Sequence, residues 1–162
     1  MNLQEESNQH FLQQLFDANV KCILVGGLAV NYYGYSRSTG DIDLWLKDTQ
    51  ENRVNFVEAL TKIGIVGAEA FITAPLLAGF TEVLLDSGIY IDVMSEMQFF
   101  TKENFDECYN QSVIWEPFDG VKLRVLHLNA LISEKEQSSR PKDIEDARVL
   151  KELRTQANLS PR

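Results

Sequence analysis

The stretch GGLAVNYYGYSRSTGDIDLWL, residues 26–46, decides the fold class of this chain. It follows the β-rich run KCILV and opens with two glycines, which indicate a turn between a strand and the short helix LAVNYYG. The loop SRSTG comes next. DIDLWL then alternates, so that Asp41, Asp43 and Trp45 fall on one face of a strand and the aliphatic residues on the other.

The rest of the chain mixes helical and β patterns. Helices are predicted at about residues 4–18, 50–63, 101–110, 128–137 and 141–157, and hairpins around Asp86-Ser87-Gly88 and Asp119-Gly120. The last helix has a predicted buried stripe of Ile144, Ala147, Leu150 and Leu153. These patterns predict an α/β or α+β fold, with a mixed sheet flanked by helices. Since the chain has 162 residues, of which 44% are apolar, it is long enough for one well-buried core and too short to need two. We therefore expect a single domain over residues 1–162, with the C-terminal helices of about 128–157 packed on it.

Composition excludes several classes of protein. A net charge of −9 argues against binding bulk duplex nucleic acid, although a small local basic cluster is compatible with it. Cys22 and Cys108 lie far apart, without the spacing of a disulfide framework or a thiolate zinc site. The N-terminus is polar and acidic, and no apolar run is long enough for a membrane span. We therefore expect a cytoplasmic protein with no membrane partner.

Three aspartates are the candidate metal ligands. Asp41 and Asp43, two residues apart on a strand, lie about 6 to 7 Å apart along it. Asp92, in the apolar strand YIDVM, is the expected third carboxylate on a neighbouring strand. Oxygen ligands of this kind suit Mg²⁺ and leave room for water and substrate phosphates. An Asp-x-Asp pair taken alone is more typical of a solvated strand face, and the glycine turn and the third acid in another apolar strand are what favour a metal site.

The glycine pair, Gly26 and Gly27, has two interpretations. Backbone N–H groups at a strand-to-helix turn can approach a phosphate, but glycines are also common there for steric reasons. A third glycine at dinucleotide-binding spacing and a Gly-Lys-Ser/Thr motif are both absent from the sequence. Dehydrogenase and P-loop functions are therefore disfavoured.

Taken together, these motifs resemble the nucleotidyltransferase superfamily of the DNA polymerase β type. The similar parts are the glycine pair, thirteen intervening residues, DIDL at 41–44 and the later aspartate in YIDVM. The segment LISEKEQSSRPKDIEDARVL also resembles the family pattern Leu-x-x-x-Lys followed by Arg-Pro-Lys-Asp-x-x-Asp. The resemblance covers roughly residues 20–46, 89–94 and 131–150. It is closest to small bacterial members: abortive-infection nucleotidyltransferase toxins and minimal antibiotic nucleotidyltransferases.

The resemblance implies roles for the acids and glycines. Asp41 and Asp43 would bind the metal that carries the triphosphate, and Asp92 would be the third ligand and the general base toward an acceptor hydroxyl. Gly26 and Gly27 would line the triphosphate. The implied cofactor is Mg²⁺ or Mn²⁺, and the implied substrate is a nucleoside triphosphate, with ATP as the first expectation.

It also implies roles for several basic and polar residues. Arg37 and Thr39 would orient the catalytic loop or touch phosphate, and an internal pair of Arg37 with a carboxylate is an equal alternative. Lys135 would face the nucleotide. Arg140 and Lys142 either carry surface charge or contact the acceptor or phosphate.

The expected function is metal-dependent transfer of a nucleoside monophosphate to an unknown acceptor, which is a small molecule, a protein or tRNA, with release of pyrophosphate. Leu28 follows the glycine pair, where the toxins often carry a polar residue, so phosphate contacts would come from backbone N–H groups alone. This departure favours an alternative: a nucleotide-binding or interaction module without turnover, as one component of a toxin–antitoxin pair with a protein partner.

Overall fold

A six-stranded mixed β-sheet forms the centre of the structure, a computed structural model that describes residues 3–74, 76 and 79–159. The strands are β1 (Cys22–Leu24), β2 (Asp41–Leu46), β3 (Thr81–Leu84), β4 (Tyr90–Met94), β5 (Val113–Phe118) and β6 (Val121–Val125). Their order across the sheet is β3-β4-β2-β1-β6-β5. The pairs β2 with β4 and β1 with β6 are parallel, and the other neighbours are antiparallel. The mixed sheet and both predicted hairpins are confirmed.

Helices flank the sheet. Within the described residues they are α1 (Glu6–Asp17), α2 (Gly26–Tyr32), α3 (Gln50–Lys62), α4 (Ala70–Thr73), α5 (Phe105–Gln111), α6 (Leu128–Gln137) and α7 (Pro141–Leu159), with a 3₁₀ turn at Lys102–Asn104 before α5. Pro141 takes the first position of α7, where its missing N–H costs no intrahelical bond. In this part of the chain, no helix has both the length and the apolarity needed to cross a bilayer.

One hydrophobic core joins the sheet to the helices. Ile42 and Leu44 of β2 and Ile91 of β4 are fully buried, on the strand face opposite the aspartates. Trp45 lies on the aspartate face but is also fully buried, because the following segments cover that end of the strand. Its indole N–H donates to the Ser95 carbonyl at 2.8 Å. The face of β2 that begins polar thus ends in the core.

Two local features differ from the sequence prediction. Ile144 is 56% exposed, and the buried positions at the start of α7 are instead Asp143 and Asp146, followed by Ala147 and Leu150. The predicted burial of Ala147 and Leu150 is confirmed, Leu153 is half-buried, and the prediction for Ile144 is wrong, because carboxylates take the buried positions of the first turns. The second difference is that α2 begins at the glycine pair itself rather than after it.

Candidate metal centre

The three predicted aspartates meet on one face of the sheet. Asp43 of β2 and Asp92 of β4 are direct partners in the parallel register, and Asp41 lies two residues earlier on β2. One carboxylate oxygen from each lies within 4.8 Å of the other two. The expectation that a neighbouring strand supplies the third carboxylate is confirmed.

Local contacts orient the two aspartates of β2. The Thr39 hydroxyl donates to Asp41 Oδ1 at 3.1 Å, and the Gly27 N–H donates to Asp43 Oδ2 at 3.3 Å. Both donors come from the segment that precedes β2, so the chain that leads into the strand also positions its carboxylates. The site is therefore organised before any ligand arrives.

The electrostatics of Asp43 reflect its crowded position. Burial raises the pKa of Asp43 above its ordinary range, and the negative charge of Asp41 raises it further. The Gly27 N–H and the positive charges of Lys135 and Arg140 act in the opposite direction. The raising effects are the larger, so the protein alone does not fully compensate this carboxylate.

Asp92 is the least compensated of the three. Burial, followed by the charges of Asp43, Asp41 and Glu82, raises the pKa of Asp92 to about 6. Its Oδ1 is buried without a hydrogen-bond partner among the described residues. A buried polar atom normally has a partner, so this oxygen is free to serve as a ligand. The donor set, all carboxylate oxygen, is the chemistry that Mg²⁺ or Mn²⁺ prefers.

Close packing explains why glycines occupy positions 26 and 27. A Cβ on Gly26 would lie 1.9 Å from Asp43 Oδ2, and the residue has a φ of +59°. A Cβ on Gly27 would lie 2.4 Å from the Thr39 hydroxyl oxygen. The glycine pair thus lets the start of α2 contact the acidic strand directly, which is the steric interpretation offered by the sequence.

A cleft of about 470 Å³ opens in front of Asp43 and Asp92. One part of its wall is apolar, formed by Phe80, Met94, Met97 and Leu131. Another part is polar and contains Gly26, Glu134, Lys135, Ser138 and Arg140. The size and the mixed polarity of this cleft are those of a small-molecule binding site.

A network of ion pairs lies beside this cleft, and all of its members except the exposed Arg140 are largely buried. The Arg37 guanidinium makes a two-pronged contact with Asp146, at 2.7 Å from Nε and 2.8 Å from Nη2. Lys135 Nζ lies 2.5 Å from Asp143 Oδ1 and 3.1 Å from Asp146 Oδ2. Arg140 Nε lies 2.5 Å from the other oxygen of Asp143. The loop before β2, α6 and α7 are thereby held together around the acids.

Asp143 is strongly stabilised as a carboxylate in this network. Its burial would by itself raise its pKa, but hydrogen bonds from Lys135 and Ser138, with the Lys135 charge and the Arg140 contact, lower the pKa to about 2. Asp143 therefore stays ionised over the physiological range. Lys135 in turn is buried with its charge matched.

The predicted nucleotide-binding residues occupy different places. Lys135 and Arg140 line the cleft, and both are bound to Asp143. Arg37 forms the internal carboxylate pair that was one of its two predicted roles, and Thr39 is buried against Asp41. Lys142 is exposed on α7, and it is not among the described residues that line the cleft. Contact of these residues with a nucleotide stays a prediction.

Three acidic residues outside the predicted set also shape the site. Asp143 and Asp146 are the two aspartates of the quoted Arg-Pro-Lys-Asp-x-x-Asp segment, and their spacing places both on the buried stripe of α7. That spacing is the feature of the sequence that could have identified these two aspartates as buried. Glu134 accepts the backbone N–H groups of Gln98 and Phe99 at 2.7 and 2.8 Å, which fixes one cleft wall. Glu134 lies far in sequence from both of these residues, so no local pattern of the sequence predicts the contact.

Comparison with known proteins identifies no family for this chain: no protein-family model matches it, and no curated protein matches it at a significant level. The interpretation of the site consequently rests on its own residues and geometry.

Proposed function

We propose that this protein is a metal-dependent nucleotidyltransferase, which transfers a nucleoside monophosphate from a nucleoside triphosphate to an acceptor hydroxyl or phosphate. The observation that supports it most is the aspartate triad, of which Asp43 and Asp92 line a cleft, with Asp92 Oδ1 buried and unpartnered among the described residues. Three mutually repelling carboxylates are costly to hold together without a cation. A bound divalent ion would supply the positive charge that offsets this repulsion.

Asp41, Asp43 and Asp92 would hold the metal. When bound, Mg²⁺ or Mn²⁺ would supply charge neutralisation for the triphosphate and activation of the attacking oxygen. The chain's own residues position these three carboxylates. Thr39 orients Asp41, and the Gly27 N–H orients Asp43. The parallel register between β2 and β4 places Asp92 directly beside Asp43.

In the proposed reaction, the acceptor oxygen attacks the α-phosphorus of the triphosphate. The bond from that phosphorus to the oxygen that bridges to the β-phosphate breaks, and pyrophosphate leaves with the electron pair. Asp92 accepts the proton of an acceptor hydroxyl, a role for which a carboxylate with a raised pKa is suited. The cleft wall of Phe80, Met94 and Met97 is an apolar surface for the nucleobase.

A second candidate is a nucleotide-binding module without turnover. The observation that favours it is the pairing of Lys135 and Arg140, the cations lining the cleft, with Asp143. Cations engaged in this way offer less charge to a triphosphate in the transition state than free ones. Under this alternative, the nucleotide binds with its metal but no bond is broken.

The test of transfer uses α-labelled nucleoside triphosphates, Mg²⁺ or Mn²⁺, and panels of small-molecule, protein and tRNA acceptors. We expect label transfer and pyrophosphate release by the wild type, and a loss of at least about a hundredfold in Asp43→Asn because a metal ligand is removed. Asp86→Asn is the matched control, since Asp86 is exposed in the turn of the hairpin that carries Asp92. Transfer by Asp43→Asn equal to that of wild type would contradict the proposal.

Thermal unfolding separates the two candidates. A nucleotide–metal complex present at about 100 times its Kd should stabilise the wild type by about 2.7 kcal/mol, or about 5 to 11 °C in Tm. A shift that requires Asp43, together with no transfer to any acceptor, supports the binding module. No shift with any nucleotide and either metal would rule out both.

A further inference from the structure

A second cavity lies away from the acidic cleft and has a different chemistry. Its volume is about 220 Å³, and it shares no lining residue with the acidic cleft in the described part of the chain. Its interior is formed largely by leucines that are otherwise almost fully buried, among them Leu12 and Leu15 of α1, Leu24 of β1 and Leu44 of β2. The interior is therefore an apolar slot.

Strand divergence accounts for the opening. Strands β1 and β6 are in parallel register at the single pair Leu24 with Val125, and the Leu126 N–H adds a bond to the Leu24 carbonyl. Earlier along both strands, Cys22 and Leu123 line the cavity and do not pair with each other. Cys22 pairs instead with Leu46 of β2, and Leu123 pairs with Trp115 of β5, so the gap lies between two strands that are each held by their other neighbour.

Two residues that line this cavity are exposed apolar side chains. Phe16 is 42% exposed and Ile114 is 54% exposed. Exposed apolar groups that adjoin a buried apolar slot form a continuous surface for an apolar ligand.

Two cations, Lys122 and Arg124, line the same cavity, and a third, Lys21, lies near the Tyr109 ring, which also lines it. The Arg124 guanidinium lies 4.7 Å from the Tyr109 ring centroid and makes only long contacts, 3.4 Å to the Tyr109 carbonyl and 3.5 Å to Ser112 Oγ. Lys21 Nζ lies 5.6 Å from the same ring, and Lys122 lines the cavity and is exposed. Among the described residues, none of these three cations forms an ion pair with a carboxylate.

We propose that this cavity binds a small aliphatic monocarboxylate, with its chain between α1 and the splayed strands and its carboxylate at Arg124 and Lys122. Lys122 and Arg124 both line an otherwise largely apolar cavity, and their positive charges complement the anionic end of an aliphatic ligand. At about 30 Å³ per heavy atom, the cavity of about 220 Å³ accommodates roughly seven heavy atoms. The six carbons of hexanoate therefore fit inside, with the two carboxylate oxygens at the cations that line it. The proposal is independent of nucleotidyl transfer.

The test uses hexanoate titrated into the ¹⁵N-labelled full chain, followed by amide chemical shifts. We expect shifts at Cys22, Leu24 and Leu123 and a Kd of about 1 mM or tighter. Two methylenes fewer should weaken butanoate about fifteen-fold, because each buried CH₂ contributes to affinity. Hexan-1-ol and hexylammonium should bind at least about tenfold more weakly than hexanoate, since neither offers an anion to the cations.

Charge-removing variants locate the carboxylate. Arg124→Met keeps an unbranched apolar side chain and should erase the preference for hexanoate over hexan-1-ol; Lys122→Met, at an exposed position, should reduce it. Lys102→Met is the matched control, since Lys102 is exposed and does not line the cavity. The proposal would be overturned if hexanoate at about 10 mM, ten times the expected Kd, caused no amide shifts around the cavity. It would also be overturned if hexan-1-ol bound as tightly as hexanoate, or if both variants kept the full wild-type preference for hexanoate over the alcohol.

Discussion

At the scale of single residues, the candidate site depends on one position without a side chain. Gly26 has φ +59°, and its Cα faces the Asp43 carboxylate so closely that a Cβ would overlap Oδ2. The same approach brings the Gly27 N–H to 3.3 Å from that oxygen. Because Gly26 has no side chain, the Asp43 carboxylate of β2 can lie against it and accept a hydrogen bond from the Gly27 N–H.

We expect Gly26→Ala to destabilise the protein by about 2 to 4 kcal/mol, because it combines a left-handed backbone with a steric overlap. Urea unfolding monitored by Trp fluorescence measures the change. The same variant should lose the Mg²⁺-dependent rise in Tm, since Asp43 must move.

Gly40→Ala is the control for this experiment, because a Cβ at Gly40 meets no atom within 4 Å. It should unfold at the wild-type urea midpoint within error. A Gly26→Ala protein as stable as Gly40→Ala would show that Asp43 is not held by close packing with the glycine.

At the scale of elements, the C-terminal helices complete the site through charge rather than through apolar packing alone. Asp146 on α7 is fully buried and binds Arg37 from the loop before β2, while also contacting Lys135 of α6. One carboxylate of α7 therefore joins the neighbouring helix α6 to a loop residue that lies 109 residues earlier in the chain. A buried network of this kind is stable only when each charge keeps its partner.

Asp146→Asn should lower the free energy of unfolding by about 3 to 5 kcal/mol, because Arg37 and Lys135 would remain buried with too little negative charge. Chemical unfolding of the full chain measures it. Glu152→Gln on the same helix breaks the exposed pair with Arg148 and should leave the midpoint unchanged. Equal effects of the two substitutions would indicate that the buried network does not connect α7 to the site.

At the scale of the whole molecule, the pH dependence of stability combines two opposed groups. The folded-state pKa of Asp92, about 6, lies above its unfolded value of about 3.9, so its ionisation removes stability as pH rises through 4 to 6. The pKa of Asp143, about 2, lies below that value, so its contribution is present above about pH 4 and is lost toward pH 2. Together these two groups favour an optimum near pH 4 to 5 in the absence of divalent ions.

In EDTA, Asp92→Asn should therefore unfold at a higher temperature than wild type at pH 7, by about 2 to 4 °C, with the difference vanishing near pH 4. This difference in Tm corresponds to about 1 kcal/mol of unfolding free energy. The value is smaller than the full pKa shift would give, because solvent screens a partly exposed carboxylate. Calorimetry across pH 4 to 8 is the measurement. A Tm difference that is constant with pH would contradict the electrostatic origin, and added Mg²⁺ should stabilise only the wild type.

Much of this architecture is readable from the sequence because it is encoded locally. Alternation in DIDLWL and YIDVM, helical spacing and the turn residues of both hairpins identify the main strands and helices, and Asp41, Asp43 and Asp92 emerge as one candidate set. These signals depend on periods of two and 3.6 residues, which a strand or helix imposes on its own segment.

Only the tertiary structure decided the pairing of β2 with β4, which sets Asp43 beside Asp92, and the partners of Arg37, Lys135 and Asp143. The sequence placed Ile144 in the core, yet the buried positions belong to Asp143 and Asp146. The reason is that a carboxylate becomes an acceptable core residue only when cations from other elements neutralise it. That condition is set by three-dimensional proximity, and no local periodicity records it.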